Sequence, residues 1–182
     1  MGVILDILGS MAVRGTIVLV MLSMNLSLHN TLYRKTSQAV VEKNLSYTTD
    51  ALMLDLKLIG LSATSTPMIT ADPAEIKFLG DVDGSGIQDT VNFYLGSTSE
   101  LASTDNPNDR KLYRKLGNRS AFDFASGVTN FQFEYYDVTG HPTTILSAIK
   151  SVKFILKMEH GYAYDGIYPS GSWETQIFPP NL

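Results

Sequence analysis

The feature that most constrains this chain is an unbroken helical pattern from residue 3 to about residue 59. No proline interrupts it, and apolar residues recur three or four positions apart. Gly60 stands where a left-handed residue commonly ends a helix. Such a helix would be roughly 85 Å long, whereas the remaining ~120 residues suit a domain with a radius of gyration near ~14 Å. Part of the helix must therefore be buried by a membrane, a partner, or copies of itself.

The two halves of this predicted helix differ in composition. Residues 1–28 are largely apolar and carry two charges, Asp6 and Arg14, whereas residues 29–60 are amphipathic. A membrane span needs about 20 apolar residues, and a cation at bilayer depth costs at least a few kcal/mol, so Arg14 fits a simple span poorly. The pattern favours a packed helical filament core, in which the acid can meet a partner's charge. An amphipathic core helix of an ordinary domain is the alternative.

The period of the apolar pattern changes after Gly60. Residues 61–73 are rich in Ser, Thr and Pro and predict a linker, and residues 74–182 predict an antiparallel β-domain. Its strands are expected at residues 75–79, 90–95, 110–116, 130–137, 149–159 and 173–178. The third of these carries four basic residues, which predicts an edge strand. The fold class is therefore α+β, with a long N-terminal helix packed through residues 29–60 on an antiparallel sheet.

Composition narrows the classes of function. There is no cysteine, which excludes a disulfide scaffold and thiolate metal sites. The net charge is −4 and there is no basic stripe with interleaved aromatics, so we expect no nucleic acid partner. The three histidines (His29, His141 and His160) have no metal-ligand spacing, and no nucleophile elbow or phosphate loop is present. We therefore expect a protein that is not an enzyme, with a hydrolase as a distant alternative.

One polar loop has the spacing of a calcium site. Asp81, Asp83, Ser85 and Asp89 place oxygen donors at relative positions 1, 3, 5 and 9, and Ile87 would supply its carbonyl at position 7. The twelfth position is an asparagine rather than a bidentate glutamate, and a strand is expected after the loop where an EF-hand has a helix. The alternative is a polar hairpin turn that uses Asp and Gly for their backbone freedom. Both interpretations, a Ca²⁺ loop and a plain turn, stay open.

Four stretches occur in an order that points to a known group of proteins. They are LDILGSMAVRGTIVL (5–19), IKFLGDVDGSG with VNFYL (76–86 and 91–95), VTNFQFEYYDVTG with IKSVKF (128–140 and 149–154), and TQIFPPNL (175–182). Together they resemble the type IV pilin-like proteins and the minor pseudopilins of type II secretion, most closely the J-type pseudopilin and the W-type minor pilin. In that family the leader ends in a glycine and the mature chain has a glutamate at its fifth position. Here the acid is Asp6, and Gly2 lies four residues before it, one fewer than in the family pattern.

The resemblance implies a structural subunit of a pilus or pseudopilus, in the minor-subunit version a tip or initiation subunit. Its partners would be other pilin or pseudopilin subunits, with the inner membrane holding residues 1–28 before assembly. The expected location is the inner membrane with a periplasmic domain, or an extracellular filament at the cell surface. Asp6 and Arg14 would be the assembly residues. The rival hypothesis is a membrane-tethered periplasmic or surface β-domain that binds calcium or a carbohydrate.

Overall fold

The computed structural model describes the backbone of residues 2–182 and the side chains of residues 2–4 and 6–182. One helix is followed by seven strands, namely α1 (Gly2–Lys57), β1 (Met68–Ala71), β2 (Glu75–Gly80), β3 (Asp89–Leu95), β4 (Arg110–Leu116), β5 (Phe122–Tyr136), β6 (Ser151–Glu159) and β7 (Ser170–Ile177). The strands form one antiparallel sheet in the order of the chain, β1 to β7. The α+β fold class predicted from the sequence is confirmed.

The chain divides into two compact units, Met1–Ser37 and Gln38–Leu182, here called the N-terminal unit and the globular unit. Each is described by itself. In the N-terminal unit every described side chain from residue 2 to residue 36 is exposed. Among them are long aliphatic side chains such as Ile4, Leu19 and Leu32, each exposed by 60 % or more. Helix α1 is long and apolar enough to cross a membrane, with a mean hydropathy of 2.0 over 18 residues.

In the globular unit, α1 covers the inner face of the sheet. Val41, Leu45, Leu52 and Leu56 recur at helical spacing and are buried together with the alternating residues of the strands. The strand residues in this core include Ile76 and Phe78 of β2, Val91 and Phe93 of β3, Phe131 and Phe133 of β5, and Val152, Phe154, Leu156 and Met158 of β6. The sheet is curled, so that Phe133 N of β5 donates to Pro73 O in the β1–β2 connection at 2.8 Å.

The end of the helix is fixed by a close backbone contact. α1 ends at Lys57 and the chain turns through Gly60, whose φ is +82°. A Cβ at this position would lie 2.3 Å from the carbonyl oxygen of Asn181. Gly60 N also donates to Leu79 O at 2.8 Å, which ties the turn to the end of β2. Only glycine satisfies both the positive φ and this contact.

Two sequence predictions about the strands are wrong. β4 was expected at an edge, but it is the fourth of seven strands and pairs with β3 and β5. Two of its four basic side chains pair with acids: Lys111 Nζ lies 2.8 Å from Asp123 Oδ2, and Arg114 Nε lies 2.5 Å from Asp55 Oδ2 on the helix. Residues 61–73, predicted as a linker, contain strand β1, in which Met68 is buried against the core. A strand of four residues between two prolines is too short for its alternation to be recognised in the sequence.

β5 is longer than its sequence pattern. It begins at Phe122 rather than near residue 130, and it includes a register shift between Val128 and Asn130. Gly127 lies beside this irregularity with φ +81°, and a Cβ there would be 2.7 Å from Glu159 O. The bulge breaks the alternation of the side chains, and for this reason periodicity reveals only the second half of the strand.

The Arg114–Asp55 pair generates a prediction about stability. Burial raises the pKa of Asp55, while the hydrogen bond and positive charge of Arg114 lower it and do not fully offset the burial. Arg114→Met would remove the only lowering influence, so we expect a loss of about 1–3 kcal/mol in the free energy of unfolding at neutral pH. In this variant Asp55 binds its proton still more tightly in the folded state than in the unfolded state. The free energy of unfolding should therefore fall more steeply than in the unmodified chain as pH rises above about 4.

The measurement is denaturant unfolding of the full chain, followed by the fluorescence of Trp173, the single tryptophan. Arg110→Met on the same strand is the matched control, since Arg110 is exposed. The double variant Arg114→Met/Asp55→Asn should recover part of the loss because it removes the stranded carboxylate. Equal stability of Arg114→Met and the control at every pH would contradict the prediction.

Candidate functional site

The candidate metal loop lies between two paired strands. Asp81 directly follows β2 and Asp89 is the first residue of β3, and the pairing of Gly80 with Asp89 closes the hairpin. The sequence predicts oxygen donors at Asp81, Asp83, Ser85, Ile87 and Asp89, and all of these positions fall on the loop or at its end. One carboxylate oxygen from each of Asp81, Asp83 and Asp89 lies within 4.8 Å of the others. The fold thus brings the three predicted acids together.

Hydrogen bonds within the loop already give it a defined shape. Asp81 Oδ1 accepts from Ser85 N at 3.0 Å, and Asp81 Oδ2 accepts from Gly86 N at 2.8 Å. Asp83 Oδ1 also accepts from Ser85 N at 3.0 Å, and Gly84 and Gly86 have φ values of +74° and +81°. These are the contacts of a polar turn that needs no ion. They leave lone pairs on each carboxylate, because an ionised carboxylate has about four acceptor sites.

The electrostatics of the loop favour the ionised form of Asp83. Hydrogen bonds from the Ser85 hydroxyl and amide lower the pKa of Asp83, with a smaller contribution from the charge of Arg119. Asp81 is buried, with 6 % of its surface exposed, whereas Asp83 is exposed. Asp89 Oδ2 is inaccessible to solvent and has no hydrogen-bond partner among the described residues. A hard cation bound by oxygen ligands would satisfy this atom, and these residues therefore fit Ca²⁺ chemically.

The two predicted assembly residues lie in the N-terminal unit. Asp6 and Arg14 are both exposed on α1. They are eight residues apart, which corresponds to about 12 Å along a helix axis. Asp6 and Arg14 therefore cannot pair with each other on the same helix, because side chains that pair along a helix lie three or four residues apart. If these two charges are paired in an apolar environment, their partners must come from outside this stretch of helix.

A groove on the outer face of the sheet is a candidate site for the carbohydrate of the rival hypothesis. It has a volume of about 690 Å³ and lies between the β5–β6 turn and the end of β7. Two of its charged groups pair with each other, since Lys153 Nζ lies 2.7 Å from Glu174 Oε1; Lys153 Nζ also lies 3.3 Å from Oε2 of the neighbouring Glu134. Tyr136 Oη donates to the same Glu134 oxygen at 2.5 Å. Because these groups already pair with one another, the groove gives no specific support to a carbohydrate ligand.

Comparison with known proteins does not assign this chain to a family. No family model matches this chain, and no curated protein matches it either. The resemblance to pilin-like proteins therefore stays a prediction from the residues.

Calcium binding by the loop can be measured directly. If Asp81, Asp83 and Asp89 hold Ca²⁺, adding calcium at ten times Kd should raise the unfolding free energy by about 1.4 kcal/mol. This corresponds to a rise in Tm of roughly 2–8 °C. The chelator EGTA should remove the rise, and Asp89→Asn should abolish it by deleting one charged ligand.

Asp137→Asn is the matched control, because Asp137 also accepts backbone hydrogen bonds in a glycine-containing turn but belongs to no acidic cluster among the described residues. It should lower Tm slightly and leave the calcium response intact. A Tm that is the same with calcium and with chelator would identify the loop as a plain turn.

Proposed function

We propose that this protein is a non-enzymatic structural subunit of a pilus or pseudopilus, assembled through the apolar N-terminal part of α1. The observation that carries the proposal is the exposure of every described side chain from residue 2 to residue 36 on a continuous apolar helix. An exposed apolar surface of this extent needs lipid or protein to cover it. In this proposal lipid covers it before assembly and sister helices cover it afterwards.

The two charges in the apolar stretch favour helices over lipid as the final environment. Asp6 and Arg14 would both be costly in a bilayer centre. In a bundle of copies, one helix displaced along its neighbour by about 12 Å would bring Asp6 of one copy beside Arg14 of the next. Such a displaced contact is heterologous, so it continues from copy to copy and builds a filament rather than a closed dimer. Ser10 and Thr16 direct their hydroxyls to carbonyls of their own helix, which leaves a smooth surface for close packing.

The second candidate is a membrane-tethered β-domain that binds calcium, and the cluster of Asp81, Asp83 and Asp89 supports it. The two candidates differ in what the N-terminal unit must do. A tether needs only length and hydropathy, whereas a filament subunit also needs specific contacts between helices. Substitutions that change those contacts and preserve hydropathy therefore distinguish the candidates.

A charge exchange tests the filament proposal. Asp6→Arg and Arg14→Asp should each reduce filament assembly at least tenfold, because each places like charges together in a low-dielectric interface. The double variant Asp6→Arg/Arg14→Asp restores opposite charges and should recover much of the assembly. The readout is the amount of the chain in surface filaments sheared from cells and counted by electron microscopy.

Arg34→Glu is the matched control, since Arg34 is exposed on the same helix outside the apolar stretch. Membrane fractionation of each variant shows whether insertion is preserved. Failure of the double variant to assemble better than either single variant would reject the pairing of Asp6 with Arg14. The tethered domain would be favoured by three results together. Calcium would stabilise these variants normally, none of them would change cellular function, and Asp89→Asn would lose that function.

A further inference from the structure

A small pocket in the globular unit contains a buried acid that sequence reasoning does not single out. The pocket has a volume of about 170 Å³ and lies between α1, the β3–β4 connection and the end of β6. Its apolar walls come from Val40, Val41, Leu101 and Met158, and its polar lining includes Asp109. Glu159 and His160 also line it. The lining therefore combines apolar side chains with acidic ones, and the part formed by Asp109 and Glu159 is here called the acidic end.

The acidic end is built by hydrogen bonds between distant segments. Asp105 N and Asn106 N donate to Gly161 O at 2.8 and 3.1 Å. Asn106 Nδ2 donates to Glu159 Oε2 at 2.9 Å, and Asn106 is buried with 3 % of its surface exposed. These contacts hold the β3–β4 connection against the end of β6, so hydrogen bonds of the fold fix the acidic side of the pocket.

Asp109 is the group that this network does not satisfy. Only 2 % of its surface is exposed, and its Oδ1 has no hydrogen-bond partner among the described residues. Its Oδ2 accepts from Thr104 Oγ1 at 2.9 Å. The same hydroxyl lies 2.9 Å from Leu101 O, and its single hydrogen can serve only one of the two acceptors at a time. A carboxylate buried with one hydrogen bond or none is costly unless a cation accompanies it.

Glu159 adds negative charge beside this pocket and is itself satisfied. Burial opposes the charged form, but the hydrogen bonds from Lys157 and Asn106 outweigh it and lower the pKa of Glu159. Lys157 Nζ lies 2.7 Å from Glu159 Oε1, so the positive charge of Lys157 is directed to that carboxylate. The acid without a counterion at the end of the pocket is therefore Asp109.

We propose that this pocket binds a primary alkylammonium group, of the kind that ends a lysine side chain, with its nitrogen at Asp109. An ammonium is compact and carries three hydrogen-bond donors and no acceptor, which suits one unsatisfied carboxylate oxygen. Its alkyl stem would lie against the apolar walls, as lysine stems do on apolar surfaces. A guanidinium has five donors and would leave several of them unpaired here. This proposal is independent of the proposed filament function.

A metal ion fits this pocket less well than an ammonium. Among the described residues, Asp109, Glu159 and His160 do not form a set whose ligand atoms lie within 4.8 Å of one another. Both oxygens of Glu159 are engaged by Lys157 and Asn106. A hard cation needs six or more oxygens, or a smaller set in strict geometry, whereas the walls of this pocket are apolar.

The probe for the test is n-butylammonium chloride, added to the full chain in detergent micelles. Binding is followed by the shift of the backbone amide resonances of Gly161 and Asp105, which adjoin the acidic end. We expect a saturable shift with a dissociation constant in the roughly millimolar range for so small a ligand. Asp109→Asn should weaken binding about tenfold or more, because the charge-assisted hydrogen bond is lost.

Asp105→Asn is the matched control: Asp105 is an exposed acid of the same connection, and this variant should bind as the unmodified chain does. Val40→Phe is a second variant, because Val40 lines the pocket. Val40 is 45 % exposed, so its substitution disturbs the fold far less than substitution of a buried acid does. It should block the pocket with Asp109 intact. Equal binding of n-butanol and n-butylammonium, equal binding by Asp109→Asn, or no saturable shift would each overturn the proposal.

A third ligand identifies the source of the ammonium. N-acetyl-lysine N-methylamide carries the same stem attached to a peptide unit. Binding of both ligands supports the proposal with a lysine of another protein chain as the natural occupant. Binding of n-butylammonium alone supports the proposal with a free amine as the natural occupant, because the peptide unit is then too large to enter the pocket.

Discussion

Burial of one face of the globular part of α1 is the interaction on which the sheet depends. Seven sequential antiparallel strands form a curled surface whose inner face is lined with large apolar side chains, including Phe78, Phe93 and Phe154, none of which is exposed. A single sheet cannot bury such a face by itself, so a second layer is required. The helix supplies it with Leu52 and Leu56, which are also fully buried. Each Å² of apolar surface that this contact removes from water contributes about 25 cal/mol to stability.

The two units contain different stretches of the same helix. From residue 38 onward, buried positions recur every three or four residues, as expected for a helix on a core. Up to residue 36, every described side chain is exposed although most are apolar. Helix α1 therefore carries two different apolar surfaces, one buried in the core of the globular unit and one exposed in the N-terminal unit. The filament proposal follows from the second surface and leaves the first unchanged.

Charged groups in the globular unit are placed where neighbouring elements meet. Arg114 reaches from β4 to Asp55 on the helix and joins the two layers by an ion pair at the edge of the core. Asp81 folds the β2–β3 loop around its own carboxylate. Asp109 differs from both, because it is more deeply buried than either and one of its oxygens has no partner among the described residues. Asp55 and Asp81 stabilise the contacts in which they take part, whereas the burial of Asp109 is better explained by the proposed ligand.

The sequence by itself determined the features that depend on local period and composition. The helix, most of the strands and their buried faces follow from spacings of 3.6 and 2, which each segment carries independently of the others. The acids of the 81–89 loop were recognisable because their spacing is local. The tertiary structure alone decided the central position of β4, the pairing of Arg114 with Asp55, and the bulge at Gly127. It also decided the pocket of Asp109, whose lining comes from residues 40, 41, 44, 101, 104, 109, 126, 127 and 158–161. These features depend on contacts between residues far apart in the chain, and no local pattern encodes which distant side chains will meet.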